Sequence, residues 1–311
     1  MNKFKPKIRV FGVGGSGSNT VSRMKKHQIK GIDLVSINTD IQDLRKKKAD
    51  IKLEIGYETT QGLGTGMDIS LAREAVEESQ EKIKELLEDL DMVFLTGGLG
   101  GGTATGALPL IAEMAQKMGI LTIVVVTQPF TFEGAQRKKL ATIGLKNLRP
   151  HADTLLVIPN DKLLNLEEDL GVREAFQRCD EILKRAIQSI SDLLIASGQI
   201  NIDFADLKSV MEDAGPAMFG MGKAHGQDRI TKAVDEALNC PLLGFSISGA
   251  EGALFNIASR GDLEVGEFKE ASEKIKEKLK PKADLVFGTS IDKKLKSGEV
   301  RITLIATGVK K

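Results

Sequence analysis

The chain has 311 residues, enough for two domains of ordinary size, and its 41% hydrophobic content can build buried cores, which excludes a small disulfide scaffold and global disorder. Lys and Arg number 44 against 43 Asp and Glu, and a net charge of +1 argues against sequence-wide attraction to nucleic acid or an anionic membrane. The two cysteines, Cys179 and Cys240, read as reduced thiols. No apolar run reaches the roughly 18–20 residues of a membrane span, and no apolar segment follows the first Lys residues, so a cytoplasmic protein without membrane insertion is expected. In chain order, short β-branched runs at Ile8–Gly12, Asp33–Asn38, Ile51–Glu54, Met92–Thr96, Leu121–Thr127 and Thr154–Ile158 predict strands buried on both faces. Helical periodicity fills the intervals at Ser16–Lys26, Asp68–Leu90, Thr103–Lys117 and Glu133–Leu148, so the fold class is α/β with a doubly wound parallel sheet.

From Val172 to Ser197, apolar residues at Phe176, Ile182, Leu183, Ala186, Ile187, Ile190, Leu193 and Leu194 predict one long central helix, with Gly198 suited to close it. This helix divides a first domain (1–171) from a smaller C-terminal α/β domain (201–311). The latter is expected to hold helices at Phe204–Asp213, Asp228–Asn239 and Glu267–Leu279. Strands are expected at Ala217–Met221, Leu243–Ser248, Leu254–Ser259, Asp284–Thr289 and Glu299–Thr307, and their consecutive order implies a mixed sheet.

Two glycine loops carry the chemistry. The first, Gly12-Val13-Gly14-Gly15-Ser16-Gly17-Ser18-Asn19, joins a strand to a helix, where backbone N–H groups and the positive helix end can receive an anion. Alone it is weak, because tight strand-to-helix turns also use glycine for packing. The second runs from Thr96 to Gly106, and five of the six residues from Gly97 to Gly102 are glycine, followed by Thr103 and Thr105. A structural turn needs far fewer glycines, so a phosphate cradle is the better reading. No Gly-Lys-Ser/Thr follows it, which excludes a P-loop. Two cradles at strand ends suit a nucleoside triphosphate better than a nicotinamide cofactor. Phe176 and Asp180 lie one turn apart on the long helix, so a ring can stack on a base while a carboxylate accepts from guanine N1–H and N2–H₂, which adenine does not offer.

The second loop resembles the signature of the tubulin/FtsZ superfamily. Gly12–Asn19, Asn38-Thr39-Asp40, Gly62-Leu63-Gly64-Thr65-Gly66, Pro129–Gly134 with Arg137, Ile158–Asp161 and Asn201–Asp206 are similar to the FtsZ group within it, in order along nearly the whole chain. The resemblance implies a cell-division GTPase that polymerises head to tail into protofilaments. It implies GTP or GDP held by Gly14, Gly15, Ser16, Asn19, Gly64, Gly98, Gly100, Gly101, Gly102, Thr103, Ala104, Thr105, Gly106, Glu133, Arg137, Asn160, Phe176 and Asp180. Mg²⁺ would bridge the phosphates, with no dedicated protein cage. Asn201, Asp203 and Asp206 would enter the pocket of the next subunit and orient the attacking water. Division-ring proteins are implied as partners at the division site. The chain stops at Val309-Lys310-Lys311, so the family's C-terminal partner-binding tail is expected to be absent. Two departures are Ala104, where the family usually has Gly, and Gln61, where it usually has Arg. The methyl of Ala104 is expected to crowd the cradle.

Ordinary structural readings stand beside these. Glu133 and Arg137 have the spacing of a helix ion pair, Asn160 and Asp203 could cap helices, and Phe176 continues an apolar stripe. The rival functions are a Rossmann-type NAD-dependent oxidoreductase, which leaves the second loop unexplained, and a non-hydrolysing tubulin-like scaffold, which would not need the acidic loop.

Overall fold

A computed structural model describes residues 6–27, 31–164, 171–195, 202–240 and 247–308. The chain divides into two compact units, residues 1–187 and 188–311, with the division inside the longest helix rather than in a linker.

The first unit runs β1 (Ile8–Val13), α1 (Gly14–Lys26), β2 (Asp33–Asn38), α2 (Ile41–Lys46), β3 (Ile51–Glu54), α3 (Tyr57–Thr60), α4 (Ile69–Glu78), α5 (Gln80–Leu87), β4 (Met92–Gly98), α6 (Gly102–Lys117), β5 (Leu121–Gln128), α7 (Ala135–Leu148) and β6 (Thr154–Pro159), then enters α8 (Val172–Ile195). Its strands pair in parallel in the order β3-β2-β1-β4-β5-β6, and Gly12 faces both Ser36 of β2 and Thr96 of β4. The chain leaves β1 toward β2 but leaves β4 toward β5. Between β1 and β4 the winding therefore reverses, and the carboxyl ends of these strands open a crevice. The core sets Phe11, Val35, Leu95, Val124 and Leu155 of the sheet with Ala107, Leu108, Ile111 and Ala115 of α6 and Val76 of α4. Each large side chain so buried is worth roughly 1.5–3 kcal/mol. Helix α1 docks in backbone contact with the sheet at Gly12 and Gly17: a Cβ on Gly12 would lie 2.2 Å from Gly17 O, and one on Gly17 only 2.4 Å from Thr96 O.

Two elements differ from their sequence pattern. The Asp68–Leu90 periodicity is two helices, because Ser79 leaves helical geometry and its Oγ accepts a hydrogen bond from Gly56 N–H at 3.1 Å. Glu133 closes a separate 3₁₀ turn (Thr131–Glu133), and α7 starts after Gly134, whose φ of +101° favours glycine.

In the second unit follow α9 (Phe204–Met211), β7 (Gly215–His225), α10 (Arg229–Leu238), β8 (Gly252–Ser259), α11 (Val265–Lys276), β9 (Asp284–Ile291) and β10 (Glu299–Thr307). The sheet order is β7-β10-β8-β9: β10 runs antiparallel to β7 and β8, and β8 is parallel to β9, the mixed pairing expected. Phe255, Phe268 and Phe287 pack together under it, and buried Arg229 ties α10 to Asp262 and Glu267. Gly198 and most of the expected strand at Leu243–Ser248 lie outside the described residues, while Ile247 and Ser248 themselves are not strand. Among the described residues no helix is long and apolar enough to cross a membrane.

Candidate functional site

Helices α1 and α6 begin where β1 and β4 end. Their N-cap residues, Val13 and Gly101, supply no side-chain cap, and neither helix has an acidic residue in its first turn. Two sets of unsatisfied N–H groups and two positive dipole ends therefore converge with no internal anion to neutralise them. They border a cavity of about 360 Å³ that opens in the first unit.

Of the candidates, the cavity gathers Gly14, Gly15, Ser16, Asn19, Gly98, Gly101, Gly102, Thr103, Ala104, Glu133, Arg137, Asn160, Phe176 and Asp180. Gly14 has a φ of +72°, and a Cβ on Gly101 would meet nothing within 4 Å, so that glycine leaves open space at the helix end. Thr103 Oγ1 lies 2.8 Å from Thr39 Oγ1 and 3.3 Å from Thr65 Oγ1, a chain of three hydroxyls from the start of α6 and two separate loops. The methyl of Ala104 belongs to the core; a Cβ on Gly97 would lie 3.0 Å from it, so Gly97 supplies the room that the methyl uses.

Gly64, Gly100, Thr105 and Gly106 are not among the cavity-lining residues. Thr105 is buried and its Oγ1 accepts from Gly100 N–H at 2.9 Å, so its hydroxyl holds the loop's shape instead of facing a ligand. Gly106 is a packing glycine, since a Cβ there would lie 2.6 Å from Ile69 O. Gly64 N–H bonds Thr39 O at 3.2 Å and fixes the loop that brings Thr65 to Thr103. Gln61 is exposed with a φ of +51° and is also absent from the lining.

At the other end of the cavity, Asp180 is buried and ion-pairs with Arg23 Nε at 3.3 Å. Burial pushes its carboxyl up to about 6 against the opposing pull of the guanidinium. Burial, with the nearby charges of Asp180 and Glu133, likewise pushes the Cys179 thiol up to about 12, so this cavity-lining sulfur stays protonated and unreactive. Asn160 is 4% exposed, and its Oδ1 has no hydrogen-bond partner. A buried orphan acceptor costs about 1–3 kcal/mol, so this atom in the cavity wall calls for a donor from a ligand. It does not cap a helix; Pro159 holds that position. Glu133 accepts from Phe130 N–H at 2.9 Å and faces Arg137 Nη1 at 3.7 Å. Phe176 keeps 40% exposure while meeting Phe130 and Phe132 edge-on.

Several contributors were given no site role in the sequence reading: Leu99, Thr127, Pro129 and Cys179 in the lining, and Arg23, Lys47 and Asp161 behind it. Lys47 Nζ donates to Asn19 Oδ1 at 2.6 Å and pairs with Asp43, while Asp161 accepts from Thr131 N–H and Oγ1 and pins the Phe130–Gly134 turn. Arg23 was within reach of pattern reading, since it follows Asn19 by one helical turn on α1. Lys47 reaches Asn19 only through a contact between distant segments.

Asp203 and Asp206 belong to the second unit and do not line the cavity. Both are exposed; Asp203 occupies the N-cap position of α9, but its side chain makes no cap bond. Asn201 lies outside the described residues.

Residues 7–168 match the model of the tubulin/FtsZ family GTPase domain, and residues 215–310 that of the FtsZ family C-terminal domain. The chain is 46% identical over 309 residues to proteins called cell division protein FtsZ 1 in Pyrococcus horikoshii and Pyrococcus abyssi, covering 99% of this chain and 82% of each relative. Among solved structures it is similar to an empty FtsZ dimer from M. jannaschii, with a TM-score of 0.96, 44% identity, and coverage of 99% of this chain and 90% of that one. CetZ2 of Haloferax volcanii, at 21% identity and a TM-score of 0.83 over 98% of this chain and 94% of that one, shares the fold.

Proposed function

The chain belongs to the tubulin/FtsZ family, as a GTP-binding cytoskeletal protein of cell division with GTPase activity that self-associates into filaments, and from that premise we propose that its hydrolytic site is shared between two successive subunits. The observation that carries this reading is a mismatch of charge. The cavity holds two uncapped, acid-free helix ends, while the exposed carboxylates of Asp203 and Asp206 start a helix in the other unit.

In this reading the N–H groups at the starts of α1 and α6, with the Thr103 hydroxyl, hold the phosphates. Glu133 and Arg137 meet the ribose side. Asn160 Oδ1 and Asp180 accept from guanine, Asn19 orients the same edge, and Phe176 stacks on the base. Gly64, Gly100, Thr105 and Gly106 shape the loops around the nucleotide. Asp203 and Asp206 of the neighbouring subunit polarise and orient the attacking water, with Asn201 beside them. Phosphoryl transfer needs positioning and charge stabilisation more than covalent chemistry, so two carboxylates delivered across a contact suffice. Among the described residues there is no cluster of three or more metal-ligating side chains, and the cavity's two carboxylates already face Arg137 and Arg23. Mg²⁺ therefore fits as an ion held by phosphate oxygens and water, where it would neutralise developing charge. A head-to-tail contact of unlike surfaces that does not close propagates as an open filament. The site of action proposed is the cytoplasmic face of the division plane, with division-ring proteins as further partners.

The test is the concentration dependence of phosphate release. Specific activity should approach zero below the assembly threshold and rise above it. A straight line through the origin, under conditions where sedimentation finds only monomer, would mean that one chain holds a complete site.

A further inference from the structure

Among the cavity-lining side chains, Asn19 stands beside Asp180: it lies one turn before Arg23 on α1, and Arg23 Nε meets Asp180 Oδ2 at 3.3 Å. Its amide is not free to choose which end it presents. Lys47 Nζ lies 2.6 Å from Asn19 Oδ1, and because an ammonium has three donors and no acceptor, only the oxygen of the amide can face it. The Nδ2–H₂ group has no hydrogen-bond partner among the described residues, so Asn19 offers the cavity a donor.

Lys47 is itself anchored. It stands at the C-cap of α2 with 13% of its side chain exposed, and Asp43 Oδ1, one turn back, pairs with it at 2.6 Å. The other oxygen of Asp43 accepts from Nδ2 of Asn38 at 3.0 Å, and Asn38 is the buried last residue of β2. A line of polar contacts therefore runs from the sheet through Asp43 and Lys47 to Asn19. An ordinary ion pair one turn apart would account for Asp43 and Lys47 alone. It does not account for the bond to Asn19, 28 positions away in the cavity wall.

We infer that Lys47 is a positioning residue for the choice of base: it holds the Asn19 amide with Nδ2 turned to the purine 6-position, where guanine has a carbonyl oxygen and adenine an amino group. The inference rests on the guanine reading above and adds to it a residue from outside the cavity lining. A 6-amino group meets a donor that cannot turn over, and both are left unpaired. The lysine charge works in the same sense on the neighbouring acid. With Arg23 it favours ionised Asp180 against the effect of burial, and the ionised carboxylate is the form that accepts from guanine N1–H and N2–H₂. Without Lys47, the Asn19 oxygen is free to turn to the cavity and accept from a 6-amino group. Removing Lys47 should therefore weaken guanine relative to 6-aminopurines, whereas the loss of a mere scaffold residue, or of a positive charge near the phosphates, would weaken both alike.

The experiment is titration calorimetry of the full chain with GDP, with the diphosphate of 2,6-diaminopurine riboside and with ADP, diphosphates being chosen so that no hydrolysis intervenes. Diaminopurine keeps the 2-amino group of guanine and carries the 6-amino group of adenine. In Lys47→Met the ratio of GDP affinity to diaminopurine affinity should fall about tenfold. Lys47→Arg, which keeps the donors and the charge, should return it to within a few-fold of wild type. Asp43→Ala, which loosens Lys47 from behind without touching its donors, should lower the ratio by less and carries the test where Lys47→Met does not fold. Asn19→Asp, which presents only acceptors, should lower it at least as far as Lys47→Met. A wild type that binds GDP no more tightly than ADP contradicts the guanine reading and the inference with it. A wild-type ratio in Asn19→Asp means that Asn19 does not face the 6-position, which also removes the inference. A lowered ratio in Asn19→Asp beside an unchanged one in Lys47→Met, or a fall in Lys47→Met that Lys47→Arg does not reverse, overturns the role of Lys47 while leaving the guanine reading in place.

Discussion

The starts of α1 and α6, which border the cavity, differ from the start of α9 in the charge they carry. Acidic residues are favourable near a helix N-terminus, by about 0.3–1 kcal/mol each, and an N-cap side chain adds about 1 kcal/mol more. Helices α1 and α6 forgo both. Helix α9 has Asp206 in its first turn and Asp203 at the N-cap, yet the carboxylate of Asp203 makes no bond to the helix. The N-terminus of α4 shows what a purely structural start looks like: Asp68 accepts from Ser70 N–H at 2.7 Å and Leu71 N–H at 3.2 Å. In the proposed shared site a side-chain cap is missing at both kinds of helix start for different reasons: at one the anion would be supplied by the ligand, and at the other the carboxylate would act on the neighbouring subunit.

The largest effect should come from filling an empty start. Gly15→Asp places a carboxylate at the positive end of α1, where the nearest atom to a new Cβ is Asp43 Oδ2 at 3.7 Å. GTP affinity, measured by titration calorimetry, should fall by on the order of a hundredfold or more, while the ligand-free protein unfolds no earlier than wild type. Gly15→Ala should bind within a few-fold of wild type. An aspartate there that binds GTP normally would break the comparison.

The next effect lies at the base. Asp180→Asn should weaken GTP about tenfold to a hundredfold and leave weak ATP binding nearly unchanged. The same substitution should stabilise the ligand-free protein at pH 7 by about 1–3 kcal/mol in denaturant unfolding. The sign follows from the raised carboxyl. With a folded value of about 6, the favourable contribution of Asp180 is complete below its unfolded value of roughly 4 and is lost as pH rises through 6. GTP affinity should run oppositely, falling as pH drops below about 6 because the protonated acid no longer accepts two hydrogen bonds. Asp180→Asn that loses stability at pH 7 would mean that the Arg23 pair outweighs the burial.

How much of this was legible in the sequence depended on the range of the interaction. The strands of the first sheet read correctly because residues such as Val124, Val125 and Val126 are buried on both faces, and the glycine-rich starts read correctly because backbone chemistry is local. The break at Ser79 depends on Gly56, distant in sequence, and no periodicity could reveal it. Thr105 reads in sequence as a second hydroxyl donor beside Thr103; only the fold shows its hydroxyl turned to Gly100. The Arg23–Asp180 pair joins residues 157 positions apart, and so was hidden although each residue is ordinary in its own helix.

The smallest expected effect sharpens the comparison most finely. Asp68→Ala should cost about 1 kcal/mol of stability through the lost cap, whereas Asp203→Ala should cost less than about half of that, because no cap bond is lost. Thermal unfolding of the two variants decides it. Equal losses would return Asp203 to a capping role.

The central claim, that the withheld carboxylates act on the anion held by a neighbour, is tested most directly by mixing two variants. Asp206→Ala should bind GTP but hydrolyse it poorly, and Asp180→Ala should keep Asp203 and Asp206 but bind nucleotide poorly. When the two are mixed and shown by co-sedimentation to enter the same filaments, an Asp180→Ala subunit can present its acidic start to GTP held by an Asp206→Ala subunit. Phosphate release should then exceed the sum of the separate proteins, increasingly so with concentration. Release that remains the simple sum in co-assembled filaments would contradict the claim and leave Asp206 as an ordinary first-turn acid of α9.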